Sequence, residues 1–445
     1  MRHFSKLFAI LIPVVFCHGV GAQRLDDVLA TSANATFTAS SLSAQGQKAY
    51  LEQRKIIGEV RAELLSEMIA NAVLELEAKQ LNSTKEKLLA AQRAKAPQPT
   101  AAEIQKIYNA NTAALGGRPL AEVRGQIVEY LKHDSEQSAV NAYIQGLRTK
   151  YKVALPRDVN AIGSAAADII ATVGGKNITL AEFEQANKIR LNDTDIEIFE
   201  EIRGDLEPAI FSALVAEEAK SRNLDTGSFI AAEITDKLRL YTDEERASIE
   251  TALMRRLFEK YNVKINLREP APIVQNILVE ADDPQTGSTS APVTVVMFTD
   301  FQCPACSRTH PVLKQTLAEY GNKIHFVVRD FPLESIHENA FQAALAANAA
   351  RAQGKFFEYI EVLYRNQEAL DKASLLKYAV ELGLNAKQFE LDFTDARAQA
   401  EVKKDQADGR SYGVGGTPAI FVNGVKVHRL SADAFRRAVD RALSK

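Results

Sequence analysis

The stretch FTDFQCPAC at residues 298–306 follows an apolar run and contains two cysteines separated by two residues. Pro304 suits the first turn of a helix, so the stretch predicts a strand followed by a helix that begins at the cysteine pair. Free backbone N–H groups and the helix dipole stabilise a thiolate at that position and lower its pKa. We therefore expect Cys303 to be an exposed nucleophile and Cys306, one turn further in, to be the resolving thiol.

The small number of cysteines favours a redox role for this pair. The chain has three cysteines, and Cys17 lies in a segment that we expect to be removed on export. A disulfide between residues so close in sequence restrains the unfolded chain little, because loop-closure stabilisation grows with loop length. A zinc site needs about four ligands, yet the sequence has no second cysteine pair and no His-x3–5-His cluster. The sequence therefore predicts a redox-active disulfide, with no cofactor and no metal.

A second motif, GVGGTPAIFVNG at residues 413–424, combines Gly-Thr-Pro with an apolar strand and an Asn-Gly turn. Between the two motifs the sequence has a strand-like run, KIHFVVRDFPL, and then a helical stretch over about 337–410. In this order of elements, and in the run IHENAFQAALAANAARAQGKFFE, residues 275–445 are similar to the DsbA-like family of bacterial envelope oxidoreductases.

The resemblance implies an α/β thioredoxin fold with an inserted helical subdomain, and disulfide exchange with client proteins. It also implies that Thr417 and Pro418 lie opposite the cysteine pair as part of the catalytic site, joined by a cis peptide bond. DsbA itself has a histidine where this chain has Ala305, so we expect a milder oxidant. Formation, isomerisation and reduction of client disulfides use the same thiol chemistry. We favour formation, and the direction stays open.

Three further polar residues near these motifs are weaker candidates for function. His310 is expected on the surface of the cysteine helix and not as a catalytic base. His337 is expected to help start the inserted helical stretch. Asp300, just before the cysteine turn, is either a proton acceptor or a turn residue.

Residues 23–270 have a helical periodicity and a weak internal duplication. An offset of 141 relates the EAK triplets at 77–79 and 218–220, and an offset of 110 relates the KY pairs at 150–151 and 260–261. The first copy therefore has about 31 extra residues (141 minus 110). They lie near Pro99 to Tyr130, where the pattern on either side of two glycines predicts a helical hairpin.

Both copies resemble the N-terminal chaperone segment of SurA and related parvulin-type folding factors. The likeness rests on PTAAEIQKIYNAN, LAEVRGQIVEYL and AYIQGLRTKYKV in the first copy, and on VGGKNITLAEFE and MRRLFEKYNVKI in the second. The resemblance implies that these helical arms bind clients. A helical spacer or an oligomerisation arm without client binding is an equally open alternative.

Residues 1–22 have the pattern of a secretory signal, with a basic start at Arg2 and Lys6, an apolar run and a small-residue site ending at Ala22. We therefore expect cleavage near Ala22 and export to the periplasm. The predicted domains of the mature chain are the first copy at 23–158, the second copy at 166–269 and the redox domain at 275–445.

The sequence thus predicts a multidomain protein with a mostly α N-terminal region and a C-terminal thioredoxin fold, acting as a thiol–disulfide oxidoreductase. The expected partners are exported clients with thiols or disulfides, a membrane or soluble redox partner, and a second copy of this chain as a further candidate. A net charge of -3 provides no basic field for nucleic acid, which excludes that partner. A chaperone-type binding protein with an accessory redox domain, and a structural adaptor, are the alternatives.

Overall fold

The computed structural model describes residues 23–444, so the predicted signal segment lies outside the described residues. The described chain forms two compact units, one of residues 23–54 with 198–268 and the other of residues 55–197 with 269–444. The region before residue 270 is mostly α, as predicted. Its elements in chain order are β1 (Val28–Thr31), β2 (Thr36–Thr38), α1 (Ala44–Leu51), α2 (Gln53–Gln80), α3 (Lys85–Arg93), α4 (Ala101–Asn111), α5 (Leu120–Lys150), β3 (Ile169–Val173), β4 (Lys176–Thr179), α6 (Leu180–Ala186), α7 (Lys188–Ser221), α8 (Thr226–Glu233), α9 (Asp243–Lys260) and β5 (Lys264–Ile265).

In the first unit, a small sheet with strand order β2-β1-β5 joins the beginning of the N-terminal region to its end. Ala30 lies opposite Phe37 on one side and opposite Ile265 on the other, both in antiparallel pairs. At the C-terminal end of α7, the buried carboxylate of Glu218 accepts hydrogen bonds from Lys260 Nζ at 2.5 Å and from the Tyr261 hydroxyl at 2.8 Å.

The second unit repeats this contact with the residues that the two offsets predict. The carboxylate of Glu77 accepts hydrogen bonds from Lys150 Nζ at 2.5 Å and from the Tyr151 hydroxyl at 2.7 Å. Here the hairpin β3–β4 pairs with the end of the first copy, through a bridge between Thr172 and Ala154. By the same two offsets, Thr172 corresponds to Thr31 and Ala154 corresponds to Lys264. Thr31 and Lys264 are paired in the sheet of the first unit.

The two copies therefore exchange their β-hairpins. The hairpin β1–β2 of the first copy pairs with strand β5 of the second, and the hairpin β3–β4 of the second copy pairs with the end of the first. Each of the segments 23–158 and 166–269 consequently contributes to both units. The domain boundaries inferred from the sequence stay predictions, and so does the resemblance to SurA.

A helical hairpin is present in the extra segment of the first copy. Helix α4 and the first turns of α5 pack through buried Ile104, Val123 and Ile127. Between the helices, Gly116 and Gly117 have φ values of 64° and 71°, in a left-handed region that glycine adopts without a steric penalty.

The remaining elements form the redox region. In chain order they are β6 (Gln285–Gly287), β7 (Val293–Thr299), α10 (Pro304–Ala318), β8 (Ile324–Asp330), α11 (Ala340–Ala352), α12 (Phe356–Arg365), α13 (Lys372–Glu381), α14 (Ala386–Phe393), α15 (Ala396–Ser411), β9 (Ala419–Val422), β10 (Val425–Val427) and α16 (Ala432–Leu443). The strands form a five-stranded sheet with strand order β10-β9-β7-β8-β6. Strand β7 pairs in parallel with β8 and antiparallel with β9.

Both faces of this sheet are covered, which explains why the middle of β7, from Val295 to Phe298, is continuously apolar. Side chains alternate between the faces of a strand. Val295 and Met297 belong to the larger core, which contains the inserted helices, while Val296 and Phe298 belong to a smaller core on the other side. The predicted helical insertion is present as the five helices α11 to α15.

A buried ion-pair cluster joins β8 to α15 away from the cysteines. The Arg329 side chain is 1% exposed and pairs with Asp405. It also donates to Asp408 at 2.9 Å, and its Nε lies 3.3 Å from an oxygen of Asp283. Three carboxylates on one buried guanidinium explain how a charged side chain is accommodated inside the domain.

None of the helices within residues 23–444 combines the length and the apolar character needed to cross a bilayer.

Candidate active site

The turn between β7 and α10 positions the cysteine pair. One Asp300 oxygen accepts a hydrogen bond from the Gln302 backbone at 2.7 Å, and the Cys303 backbone donates to the Asp300 carbonyl at 3.1 Å. Cys303 is the N-cap of α10 and Pro304 is its first residue, as the sequence predicts. The Gln367 side chain donates to the carbonyls of Phe301 and Cys303, both at 2.9 Å, and fixes the turn from the insertion side.

The surroundings of Cys303 stabilise its thiolate. A hydrogen bond from the Cys306 side chain is the largest cause, and backbone N–H groups of Cys306 and Ala305 add to it. Burial opposes these effects, but the pKa of Cys303 is lowered from 9.0 to about 5. Cys303 is 6% exposed, so the expectation of an exposed nucleophile is wrong: the turn and the neighbouring Thr417 cover most of its surface.

Cys306 has the opposite environment. It is fully buried within α10, and burial together with the hydrogen bond to Cys303 raises the pKa of its thiol. Both cysteines are free thiols. One thiol stabilised as the thiolate and one held protonated form the asymmetric pair that a nucleophile and a resolving thiol require.

The Thr-Pro motif lies next to Cys303. The Thr417–Pro418 peptide bond is cis, and the Cys303 sulfur lies 3.4 Å from the Thr417 carbonyl oxygen, which accepts a hydrogen bond from Cys303 only while its thiol is protonated. Strand β9 begins one residue later and pairs with β7, which brings the second motif to the first. The structure thus brings together all four predicted catalytic residues; their catalytic roles stay predictions.

Of the weaker candidates, Asp300 and His337 form a pair. The buried Asp300 carboxylate accepts from the Leu333 backbone at 2.8 Å and lies 2.7 Å from His337 Nδ1. Asp300 therefore organises the turn before the cysteines. His337 lies just before α11, and its carbonyl accepts a hydrogen bond from the Ala340 backbone.

The expectation for His310 is wrong. Its side chain is buried, not on the helix surface, because α12 of the insertion covers this face of α10. Its ring packs against Tyr364 with centroids 5.1 Å apart, and its Nε2 lies 3.3 Å from Glu361. Burial lowers the pKa of His310.

Sequence reasoning missed three residues at the site, namely Thr299, Tyr364 and Gln367. The Thr299 and Tyr364 hydroxyls are 2.6 Å apart in the buried region behind Cys306. Nothing in the sequence distinguishes Tyr364 of α12, or Gln367 in the turn after it, from other residues of the inserted region. Thr299 is adjacent to Asp300 in the cysteine stretch, and its place at the end of the predicted strand, just before the cysteine turn, was the available signal.

Comparisons with known proteins agree with this description of the redox region. A family model described as thioredoxin matches residues 280–441. The chain is 36% identical over 173 residues to the Na(+)/H(+) antiporter NhaA 1 of Mycolicibacterium gilvum, covering 38% of this chain and 28% of the relative. It is 38% identical over 142 residues to NhaA 3 of Salinispora tropica, covering 32% and 22%. The chain thus spans about a quarter of the length of these curated relatives.

Similar solved structures include a thioredoxin-like oxidoreductase from Silicibacter pomeroyi, at 28% identity and a TM-score of 0.35, covering 37% of this chain and 95% of that one. BdbD from Bacillus subtilis is 19% identical with a TM-score of 0.34, covering 37% and 94%. The catalytic domain of Proteus mirabilis ScsC is 22% identical with a TM-score of 0.33, covering 37% and 92%. With the family match, the five-stranded sheet and the cysteine helix, residues 280–441 form a thioredoxin-like domain, which confirms the predicted fold of this region.

Proposed function

We propose that the chain is a protein thiol–disulfide oxidoreductase that acts through Cys303 and Cys306. The observation that carries the proposal is the asymmetry of the pair. Cys303 lies at a helix N-terminus with a lowered pKa, and Cys306 is buried behind it with a raised one. A structural role for two adjacent thiols requires no such difference.

In the proposed reaction, a client thiolate attacks Cys303 of the oxidised pair. The bond between Cys303 and Cys306 breaks, its electron pair goes to Cys306, and a mixed disulfide joins the client to Cys303. A second client thiolate then attacks the client sulfur, and Cys303 leaves as a thiolate. The client gains a disulfide, and the protein keeps two electrons that a redox partner must remove.

The low pKa of Cys303 favours this direction, because a stable thiolate is a good leaving group. Ala305 between the cysteines offers no side-chain donor to the thiolate, so we expect a milder oxidant than DsbA. Isomerisation and reduction of client disulfides are the alternative directions, and they use the same two thiols.

The test is oxidation of a reduced, unfolded client by the full chain, followed by trapping of free thiols. We expect the oxidised native protein to form client disulfides stoichiometrically, and Cys303→Ala to form none. Equal rates of client oxidation with the native protein and with Cys303→Ala would contradict the proposal. Alkylation of intact cells would then show whether Cys303 and Cys306 are held oxidised, as a disulfide-forming enzyme requires, or reduced.

We further propose that the protein works in the periplasm on exported clients and that a membrane or soluble partner reoxidises it. The support is the signal pattern of residues 1–22 together with the oxidising chemistry of the pair. The antiporter names belong to relatives that this chain matches over about a quarter of their length, and we propose no transport. N-terminal sequencing of the mature protein should give a start at Gln23; a start at Met1 in exported material would contradict cleavage.

A groove in the second unit supports client binding by the helical arms. A cavity of about 570 Å³ lies between α2 and the hairpin β3–β4. Met68, Ala72 and Leu76 line it at four-residue spacing, on one face of α2 and only partly buried. Among the described residues, β4 pairs with β3 only, so its outer edge is available to another strand. An extended, apolar client segment fits this combination of strand edge and apolar lining.

Ala72→Glu tests the groove, because it places a charge on the apolar lining. Ala62→Glu is the matched control, since Ala62 is exposed on the same helix and does not line the cavity. We expect Ala72→Glu alone to weaken suppression of client aggregation, measured by light scattering, and to leave exchange with a small dithiol unchanged. Equal suppression of client aggregation by both variants would contradict client binding in the groove and favour the alternative that the arms are spacers.

A further inference from the structure

A pair of buried hydroxyls lies behind the resolving thiol. Thr299 ends strand β7 and is 1% exposed, and its Oγ1 lies 2.6 Å from the hydroxyl of Tyr364 on α12. As a donor, the Thr299 hydroxyl favours the Cys306 thiolate and acts to lower the pKa of that thiol, against the larger opposing effect of burial. Cys306 and Tyr364 belong to the same buried core, so the two hydroxyls extend from the surroundings of the resolving thiol into the inserted helices.

The orientation of these hydroxyls is restricted by their partners. A thiolate at Cys306 can only accept, so the Thr299 hydroxyl must donate to it. Thr299 then has a free acceptor position, which the Tyr364 hydroxyl fills by donating. The tyrosine keeps its proton, because burial raises the pKa of Tyr364 well above its ordinary value.

The reaction needs such a donor at one step. When a client thiolate attacks Cys303, the electron pair of the broken disulfide goes to Cys306, which becomes a thiolate in a fully buried position. Buried negative charge is costly unless hydrogen bonds stabilise it. A donor oriented before the reaction stabilises the developing charge without reorganising at the moment of bond cleavage.

We propose that Tyr364 is a positioning residue that orients the Thr299 hydroxyl toward the Cys306 thiolate as the disulfide breaks. This inference rests on the proposed thiol–disulfide exchange. The two hydroxyls donate hydrogen bonds and transfer no proton. The proton that finally neutralises Cys306 comes from solvent or from a client thiol. The insertion thus contributes to the chemistry of the cysteine pair as well as covering it.

The experiment measures attack of a small thiol on the oxidised full chain by stopped flow. Tyr364→Phe removes only the phenol oxygen, and we expect about a tenfold slower cleavage of the Cys303–Cys306 disulfide. The matched control is Tyr359→Phe, in the same helix. Tyr359 is also fully buried, and its hydroxyl donates to the Leu375 carbonyl at 2.8 Å, away from the cysteines.

A pH profile separates positioning from a structural effect. In the reverse step, Cys306 attacks the mixed disulfide as a thiolate, so the rate rises with pH until Cys306 is deprotonated. Tyr364→Phe should displace this profile upward by about one pH unit, and Tyr359→Phe should not. Thr299→Val should slow cleavage at least as much as Tyr364→Phe, whereas Thr299→Ser, which keeps the hydroxyl, should restore most of the rate.

The possible outcomes are distinct. Equal rates and equal pH profiles for Tyr364→Phe and Tyr359→Phe would overturn the positioning role while leaving the oxidoreductase proposal intact. If Tyr364→Phe fails to fold, a native rate in Thr299→Val would overturn it instead. Absence of any exchange in the native protein would overturn the oxidoreductase proposal itself, and this inference with it.

Discussion

The lowered pKa of Cys303 predicts an alkylation profile displaced to acid pH. With the pKa at about 5, half of the Cys303 side chains are thiolates near that pH, whereas a cysteine at the ordinary value of 9.0 is almost entirely protonated there. Thiolates react and thiols do not. The reaction of Cys303 with iodoacetamide should therefore reach half its maximal rate at about pH 5.

The rate at pH 7 is a poor test, because acidity and nucleophilicity act in opposite directions. At pH 7 the lower pKa increases the thiolate fraction about a hundredfold, but a Brønsted coefficient of about 0.45 makes each thiolate roughly sixtyfold less reactive. At pH 5 the thiolate fraction is increased about 5,000-fold, so Cys303 should react roughly 80 times faster than an ordinary thiol. The higher alkylation rate of Cys303 relative to an ordinary thiol is therefore large only at acid pH.

The informative perturbation is Cys306→Ala, because the hydrogen bond from Cys306 is the largest cause of the low pKa. In this variant the half-maximal rate of Cys303 should move from about pH 5 toward 9, without reaching it, since the N–H groups at the start of α10 remain. Mass spectrometry of the labelled peptide resolves Cys303 from other thiols. A half-maximum near pH 9 in the native chain, or an unchanged one in Cys306→Ala, would refute this explanation of the reactivity.

Three further outcomes follow from the same structure. Cys306→Ala should accumulate mixed disulfides between Cys303 and clients on non-reducing gels, and Cys303→Ala should accumulate none; the reverse pattern would exchange their roles. Gln367→Leu removes two hydrogen bonds from the cysteine turn and should lower the free energy of unfolding by about 1–3 kcal/mol in urea titrations. An unchanged free energy of unfolding would show that the turn is stable without the Gln367 side chain. Arg329→Met leaves buried carboxylates unpaired and should cost about 3–5 kcal/mol. Arg397→Met, at a pair whose arginine is 92% exposed, should leave the free energy of unfolding nearly unchanged, and similar losses in both variants would contradict the assigned burial.

The cysteine turn could be predicted from the sequence because its determinants are local. Pro304, the apolar strand before it and the spacing of the two cysteines all act within one short segment, and the structure places Cys303 at the N-cap of α10. The partner motif at Thr417 and Pro418 came from a resemblance, since no local rule connects segments so far apart in sequence.

The contacts that the sequence did not predict come from the inserted helices. His310 lies four residues after buried Cys306, on the same face of α10, and it is buried because Tyr364 of α12 packs against that face, which the sequence alone does not show. Gln367 and Tyr364 reach the cysteine turn only after α12 has packed on α10, and their identities carry no signal before that packing is known. Tertiary contacts therefore determine the burial of His310 and the contacts of Tyr364 and Gln367, which sequence periodicity does not predict.

The exchanged hairpins have a consequence for how this chain is made. Ala30 meets its partner Ile265 at a sequence separation of 235 residues (265 minus 30), so the first strand stays unpaired on that side until most of the N-terminal region has emerged from the ribosome. Closing so long a loop costs only about 0.6 kcal/mol more for each doubling of length, so the delay affects the timing of assembly more than its stability. Each copy contains one hairpin and one pairing end, so two single-copy molecules would have to exchange hairpins with each other to form the same two pairings. Because the chain contains two copies, the hairpins are exchanged within one polypeptide, which supplies both hairpins and both pairing ends.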